Sequence, residues 1–412
     1  MSTRLYQDAK ETPEQASRAE GMRDSVRGTS DQRRKPAGIP GDPRLTDGSV
    51  CPTLARKGLR SYKQANSPST DFLRAPQGVV RCELCLSEVS EHTRFACAKC
   101  HGPLSVLRQE LVCSSCGVAG RYIGGIPCFT GLGSYRGETS PGRILEINRV
   151  ACQRGWQAAI DQIVPAEAAR IRDERQADFR HVFDLPPDSA ILDLADHWGT
   201  IAMALGRVFS RVTVVEEGLE QARFIGLRAR DTGAPVETVC ADFLHLPLAP
   251  EQFDAAVLNG IDGPESPAPG ETPEVLLRLL HSIREFLKPR GFVCLGVENR
   301  LGWRELESSF ARHAARPVHG RARSRSLSEY QRIFRAAGYG PVRAFHAWNG
   351  LDDPGVLLPL ESTGALAHFV DSRGFGAQGW RSRIYGSALR AAARWGLWAR
   401  CAPAVIFLAE KT

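Results

Sequence analysis

Ala190-Ile191-Leu192-Asp193-Leu194-Ala195-Asp196-His197-Trp198-Gly199-Thr200 passes from an apolar run into a short polar turn and then into a helical pattern over 200–208. An apolar run broken by one acid, then a turn carrying glycine, is the pattern of an interior strand handing the chain to a helix N-terminus. The same alternation continues downstream, with strands expected over 212–216, 236–240, 253–259 and 292–297 and helices over 219–232 and 274–287. Strands separated by helices pair in parallel through right-handed crossovers, which predicts a doubly wound α/β sheet. In such a sheet ligands sit beyond the carboxyl ends of the strands, where the strand order reverses. The turn after Leu194 is therefore the place to look for chemistry.

Three acids stand at the matching strand ends. Asp193 closes the first strand, Glu216 closes the second at 216 − 193 = 23 positions further on, and Asp242 with Phe243 follows the third. An acid at the end of the second strand is placed to hold ribose hydroxyls. A carboxylate beside an aromatic after the third can accept from an adenine amino group while the ring packs on the base.

This pattern resembles the class I S-adenosylmethionine-dependent methyltransferases. The resemblance implies a Rossmann-like methyltransferase sheet whose cofactor-binding positions are Asp193, Ala195, His197, Gly199, Glu216, Asp242, Phe243 and Asn259. It narrows toward a bacterial subgroup associated with glycosyltransferases and surface-polysaccharide biosynthesis. The residues that carry it are Trp198-Gly199-Thr200, Ala222-Arg223-Phe224, Leu227 to Arg230, Val257-Leu258-Asn259-Gly260, Glu298 to Gly302, Tyr330 through Gly338 and Leu357 to Leu360. Its implied function is O- or N-methylation of a small-molecule or glycan acceptor, with glycosyltransferases of the same pathway as partners. Two positions depart from it. Ala195 and His197 stand where glycines are expected, leaving only Gly199, and the acid expected just after Asn259-Gly260 is displaced to Asp262. A Cβ at a position of close approach costs about 1 kcal/mol or more. These departures keep open a catalytically lapsed fold serving as a binding scaffold. An RNA methyltransferase is a third reading. By position in or after strands, Asp262, Glu298 and His346 are the candidate general bases.

Upstream, Cys82/Cys85, Cys97/Cys100 and Cys113/Cys116 form three Cys-x-x-Cys pairs. Two such pairs complete the tetrahedral thiolate shell that Zn2+ prefers, and a closed shell leaves no position for a catalytic water. Cys97-x₂-Cys100-x₁₂-Cys113-x₂-Cys116 is similar to the zinc ribbon of small methyltransferase-activator proteins, which implies packing and stability rather than chemistry. Cys82 and Cys85 exceed the need of one ion. They could hold a second with Cys128, His92 or His101, or replace one of the other pairs, since spacing alone does not fix pairing.

The expected organisation is a disordered basic leader over 1–76, the zinc ribbon over 77–132, a helical connector over 133–185 and the methyltransferase-like domain over 186–412. Residues 1–76 carry 14 Lys/Arg against 9 Asp/Glu, so +5 of the formal net charge of +7 falls there. The net charge is thus a weak argument for nucleic acid. Near the other end, a capping-box pattern at Ser326 and Glu329 opens a helix over 328–337, and a strand is expected over 342–348. A helix over 379–399 mixes tryptophans with arginines. It can make peripheral contact with an anionic membrane surface or lipid-linked substrate, or pack its apolar face on the sheet with its arginines solvated. The final apolar run, 404–409, is expected at the sheet edge. Twelve cysteines without an export signal point to a cytoplasmic setting with metal and free thiols. Removal of residues 1–70 is expected to leave the melting temperature unchanged within error, because that segment cannot bury a core. Scanning calorimetry of the shortened chain checks this.

Overall fold

The computed structural model describes residues 94–130, 139–194, 198–259, 273–299, 301–302, 325–373 and 380–412, with backbone only at 273, 380–383 and 385. The leader, Cys82, Cys85, Ala195, His197 and Asp262 lie outside the described residues.

Four short strands open the described chain: β1 (Leu104–Leu107), β2 (Glu110–Cys113), β3 (Gly117–Ile123) and β4 (Ile126–Cys128). They pair antiparallel in succession. Gly124 and Gly125, both at positive φ, make the tight turn between β3 and β4. The connector folds as α1 (Pro141–Arg154), α2 (Trp156–Ile163), α3 (Ala168–Arg172) and a 3-10 segment over Glu174–Val182. The alternating unit follows: β5 (Ala190–Leu194), α4 (Thr200–Gly206), β6 (Arg211–Glu216), α5 (Leu219–Thr232), β7 (Val236–Cys240), β8 (Phe253–Asn259), α6 (Pro273–Phe286) and β9 (Leu287–Glu298). The remainder is α7 (Leu327–Ala336), β10 (Tyr339–Ala347), β11 (Leu357–Pro359), α8 (Thr363–Ser372), α9 (Trp380–Arg394), α10 (Trp398–Cys401) and β12 (Ala404–Lys411).

All the described strands join one mixed sheet in the order β1-β2-β3-β4-β7-β6-β5-β8-β9-β12-β10-β11. The run from β4 to β9 is parallel, and β12, β10 and β11 continue it antiparallel. Both faces of the central strands are covered. Alternate residues of β5 and β8 enter opposite cores: Leu192, Leu194, Ala256 and Leu258 on one side, Ile191, Ala255 and Val257 on the other. This is why those strands read as continuous apolar runs.

Two expectations change. The last strand does not lie at the edge; β12 is inserted between β9 and β10, with Val405 opposite Val297 and also opposite His346. Every residue from Ala404 to Ala409 is buried, which an edge strand with one solvated face would not permit. The helix over 379–399 is also broken, because α9 stops at Arg394 and Gly396, at φ +68°, turns the chain into α10.

A buried arginine joins the connector to the sheet unit. Arg228 on α5 is 1% exposed; its guanidinium donates to the Trp198 carbonyl at 2.9 Å and to Thr200 Oγ1 at 3.1 Å. It also lies 4.3 Å from the centre of the Trp156 ring of α2. Thr200 Oγ1 donates in turn to the Ile171 carbonyl of α3 at 2.8 Å. Arg228→Met is expected to cost about 2–3 kcal/mol, because it leaves a buried carbonyl without its donor while keeping most of the volume. Urea unfolding of the two forms measures it.

Candidate functional site

The chain runs outward from β5 through β6 to β7 and then returns to place β8 on the other flank of β5. The strand order therefore reverses at β5, and the crevice beyond its carboxyl end is the switch point. Register fixes which residues face it. Leu194 pairs with Val215 on one side and Leu258 on the other, so Glu216 and Asn259 stand one residue beyond it in the same row. The row extends to Cys240 beside Glu216 and to Gly296 beside Asn259.

Asp193 and Glu216 are buried carboxylates, 0% and 2% exposed. Asp193 lies close enough to Cys294 that its charge adds to burial in pushing that thiol up. Asn259 lays its carboxamide across Gly296, where an added Cβ would fall 2.2 Å from Oδ1; only glycine admits it. Asn259 Oδ1 is buried and accepts no hydrogen bond among the described residues, and the same holds for Oε1 of Gln221, a 5% exposed residue in the first turn of α5. Gln221 Oε1 covers Gly218, directly after Glu216 and Glu217. The crevice is thus rich in buried acceptors, an environment that suits a ligand carrying positive charge and several N–H or O–H donors.

The exit of the loop is rigid. Gly199 caps α4 at φ +70°, and a Cβ there would meet Ile225 at 2.9 Å, so both the conformation and the close approach require glycine. Trp198 packs edge-on against Phe224, with ring centres 5.5 Å apart, and its carbonyl is held by Arg228.

The remaining positions divide. Asp242 is half-exposed and shapes its own turn: Oδ1 accepts from the Leu244 amide at 2.8 Å and Oδ2 lies 3.2 Å from His245 Nδ1. Phe243 packs on the core beneath. Glu298 is exposed at the end of β9, two strands from β5 and so about 10 Å away. His346 lies four strands from β5, roughly 19 Å, and is not part of the row. It is enclosed by Trp348 and Trp398, with Nδ1 3.0 Å from the Ala404 carbonyl. Asn299, expected only as part of a motif, is a buried clamp whose Nδ2 donates to the Arg400 and Ala402 carbonyls at 2.8 and 2.9 Å. Gln221 and Arg228 were legible only as polar residues at i and i+7 on the inward face of α5.

Among the described residues, one group of side chains could hold a metal ion: Cys97, Cys100, Cys113 and Cys116, whose sulfurs lie within 4.8 Å of one another. The turn between the first two is closed by His101 N donating to the Cys97 carbonyl at 2.7 Å and Cys97 N to the Gly102 carbonyl at 2.8 Å. Amides at Ser115 and Cys116 and the Cys100 thiol bring Cys113 down to about 7, whereas its bond with Cys100 pushes Cys116 up to about 12. Cys128 is elsewhere, opposite Cys240 on β7 and beside Thr130; its bond with Cys240 brings it down to about 7.

No family model matches the chain, and no curated protein matches it. Solved structures similar to it include phosphoethanolamine N-methyltransferase 2 from Haemonchus contortus, 15% identical with a TM-score of 0.37, covering 64% of this chain and 59% of that one. Geranyl diphosphate C-methyltransferase from Streptomyces coelicolor A3(2) is 18% identical with a TM-score of 0.34, covering 63% and 85%. The [4+2]-cyclase SpnF is 16% identical with a TM-score of 0.35, covering 58% and 80%. None of these likenesses assigns a residue of this chain. What its own geometry defines is an α/β protein with a mixed, doubly wound, Rossmann-like sheet and a group of buried acceptors at the switch point.

Proposed function

We propose that the protein binds S-adenosylmethionine in the crevice beyond β5 and transfers its methyl group to a small-molecule or glycoconjugate oxygen or nitrogen, in the cytoplasm. The observation that carries this reading is the set of buried acceptors where the strand order reverses: Asp193 near the end of β5, Glu216 and Asn259 ending its two neighbours, and Gln221 in the first turn of α5. The cofactor is chemically suited to them, since it offers a cationic sulfonium, an ammonium, two ribose hydroxyls and an adenine amine. When bound, it supplies an electrophilic methyl. Glu216 would accept from the ribose hydroxyls, Asp193 would balance positive charge near the loop, and the rigid Trp198-Gly199-Thr200 exit would fix the cofactor's orientation, which is where most of the acceleration of such a transfer arises. Glu298, exposed at the rim, is the described acid available to an acceptor proton.

The four clustered cysteines would hold one Zn2+ in a closed thiolate shell. Its contribution there is folding energy for a hairpin unit that has little core of its own. The fit rests on four sulfurs from two Cys-x-x-Cys turns brought into one cluster.

Titration calorimetry with S-adenosylmethionine tests the first part. The parent is expected to bind, and Glu216→Gln, which keeps the shape and removes the charge, to bind about tenfold or more weakly, the range expected for a lost charged hydrogen bond. A parent that shows no heat of binding and no displacement of a fluorescent analogue would overturn the reading.

Metal analysis of protein kept reduced tests the second part. It should return about one equivalent of zinc, falling in Cys113→Ser together with the melting temperature. Zinc well below about half an equivalent in the parent contradicts it, because a closed thiolate site retains its ion through purification.

A further inference from the structure

Helix α9 carries two apolar stripes, and only one of them is used by the fold. Gly386, Leu389 and Ala393 face inward and are buried. On the other side, Ile384, Ala388, Ala391 and Trp395 recur at helical spacing, with Ile384 61% and Trp395 73% exposed. The turn at Gly396 then presents Leu397 at 43% exposure. Leu301 adds to the patch at 47%: its amide is held by Asn299 Oδ1, and Asn299 grips the carbonyls of Arg400 and Ala402.

The charge along this stretch of sequence has one sign. Between Asp371 and Glu410 the sequence carries six arginines and no acid. Arg394 and Arg400 are exposed beside Trp395 and Leu397, while Arg390 is bonded to Asp371 at 2.7 Å. A large indole and branched aliphatics projecting into solvent beside Arg394 and Arg400, on a stretch of sequence without acids, match the boundary of an anionic bilayer. The apolar groups enter between acyl chains and the guanidinium groups meet lipid phosphates. Among the described residues no helix is long and apolar enough to cross a membrane, so the contact is peripheral.

We infer that α9 and α10 form a docking surface for an anionic lipid bilayer, with Ile384, Trp395 and Leu397 inserted and Arg394 and Arg400 at the headgroups. The placement is directional. Helix α10 leads into Ala404, which pairs with Glu298 at the carboxyl end of β9, so the docking surface lies at the same end of the sheet as the group of buried acceptors. A bound protein would present that end to the membrane. This inference does not depend on methyl transfer.

The test is co-sedimentation of the full-length protein with phosphatidylglycerol/phosphatidylcholine vesicles against phosphatidylcholine alone. Binding is expected only with the anionic lipid. Arg394→Glu should weaken it about thirtyfold, a change of two charge units at roughly 1 kcal/mol each, and should do so less at high salt. Trp395→Ser combined with Leu397→Ser should weaken it by about tenfold or more through lost apolar insertion. Both changes are on exposed side chains, and unchanged circular dichroism confirms the fold. Brominated acyl chains should quench tryptophan emission in the parent and less in Trp395→Phe/Leu397→Ser. The inference falls if the parent does not bind, or if it and both variants bind equally, as they would if the basic leader alone were responsible. It also falls if a single-stranded RNA displaces the vesicles and binds through the same residues, or if sedimentation shows a dimer that Trp395→Ser dissolves.

Discussion

A single buried guanidinium holds together the parts on which the site depends. Arg228 reaches from α5 to the backbone of the loop after β5, to the hydroxyl that opens α4, and to the face of Trp156 in the connector. Burying such a charge is costly unless its donors are used, and here they reach the Trp198 carbonyl and Thr200 Oγ1. The loop exit is thereby tied to a second helix and to the connector, not left to its own propensity. Around the clamp, Ile144, Ile147, Trp156 and Ile160 of the connector pack with Trp198, Phe224 and Leu227 in one core. The connector is therefore structural support for the crevice as well as a link in the chain.

The hairpin unit of β1 to β4 is attached in a related way. Its last strand, β4, lies beside β7 with Cys128 opposite Cys240, and the Phe129 amide donates to the Cys240 carbonyl at 2.8 Å. Further upstream, Arg94 and Ala96 exchange backbone bonds with Ala249 and Pro247 in the segment after β7. Gln252 joins them, donating to the Arg94 carbonyl and accepting from its amide. One tether lies on β7 and the other on the segment that follows it, and the first covers the end of a strand that would otherwise present open backbone groups. They also place β4 two strands from β6, which carries Glu216, with the cysteine-bearing β2 two strands further out.

Much of the central unit was legible in the sequence. Ala190–Leu194, Val236–Cys240, Phe253–Asn259 and Leu219–Thr232 match their expected limits, because strands covered on both faces and helices ended by glycine leave strong local signals. The capping box at Ser326 and Glu329 is present in the structure. Less legible was anything set by pairing between distant segments. The insertion of β12 could not be read from its apolar run, since an interior and an edge strand can share a composition. Nor could the role of Arg228, whose partners are 28 to 72 positions away. Gln221 and Asn259 show the same limit: polarity on an inward face is visible, but the glycines they lie across are not.

The position of β12 has a consequence for how the chain reaches this structure. Ala404 pairs with Glu298 across 404 − 298 = 106 positions, and the same strand must also be accepted by β10. Until it arrives, β9 and β10 each expose a bare, strongly apolar margin. Closure over so long a loop is slow relative to local hairpins and crossovers, and the waiting margins are ready templates for pairing with another chain. The half of the sheet that completes itself from near neighbours, β5 to β8, can organise early. The half that depends on β12 sets the pace of assembly and carries the greater hazard of aggregation.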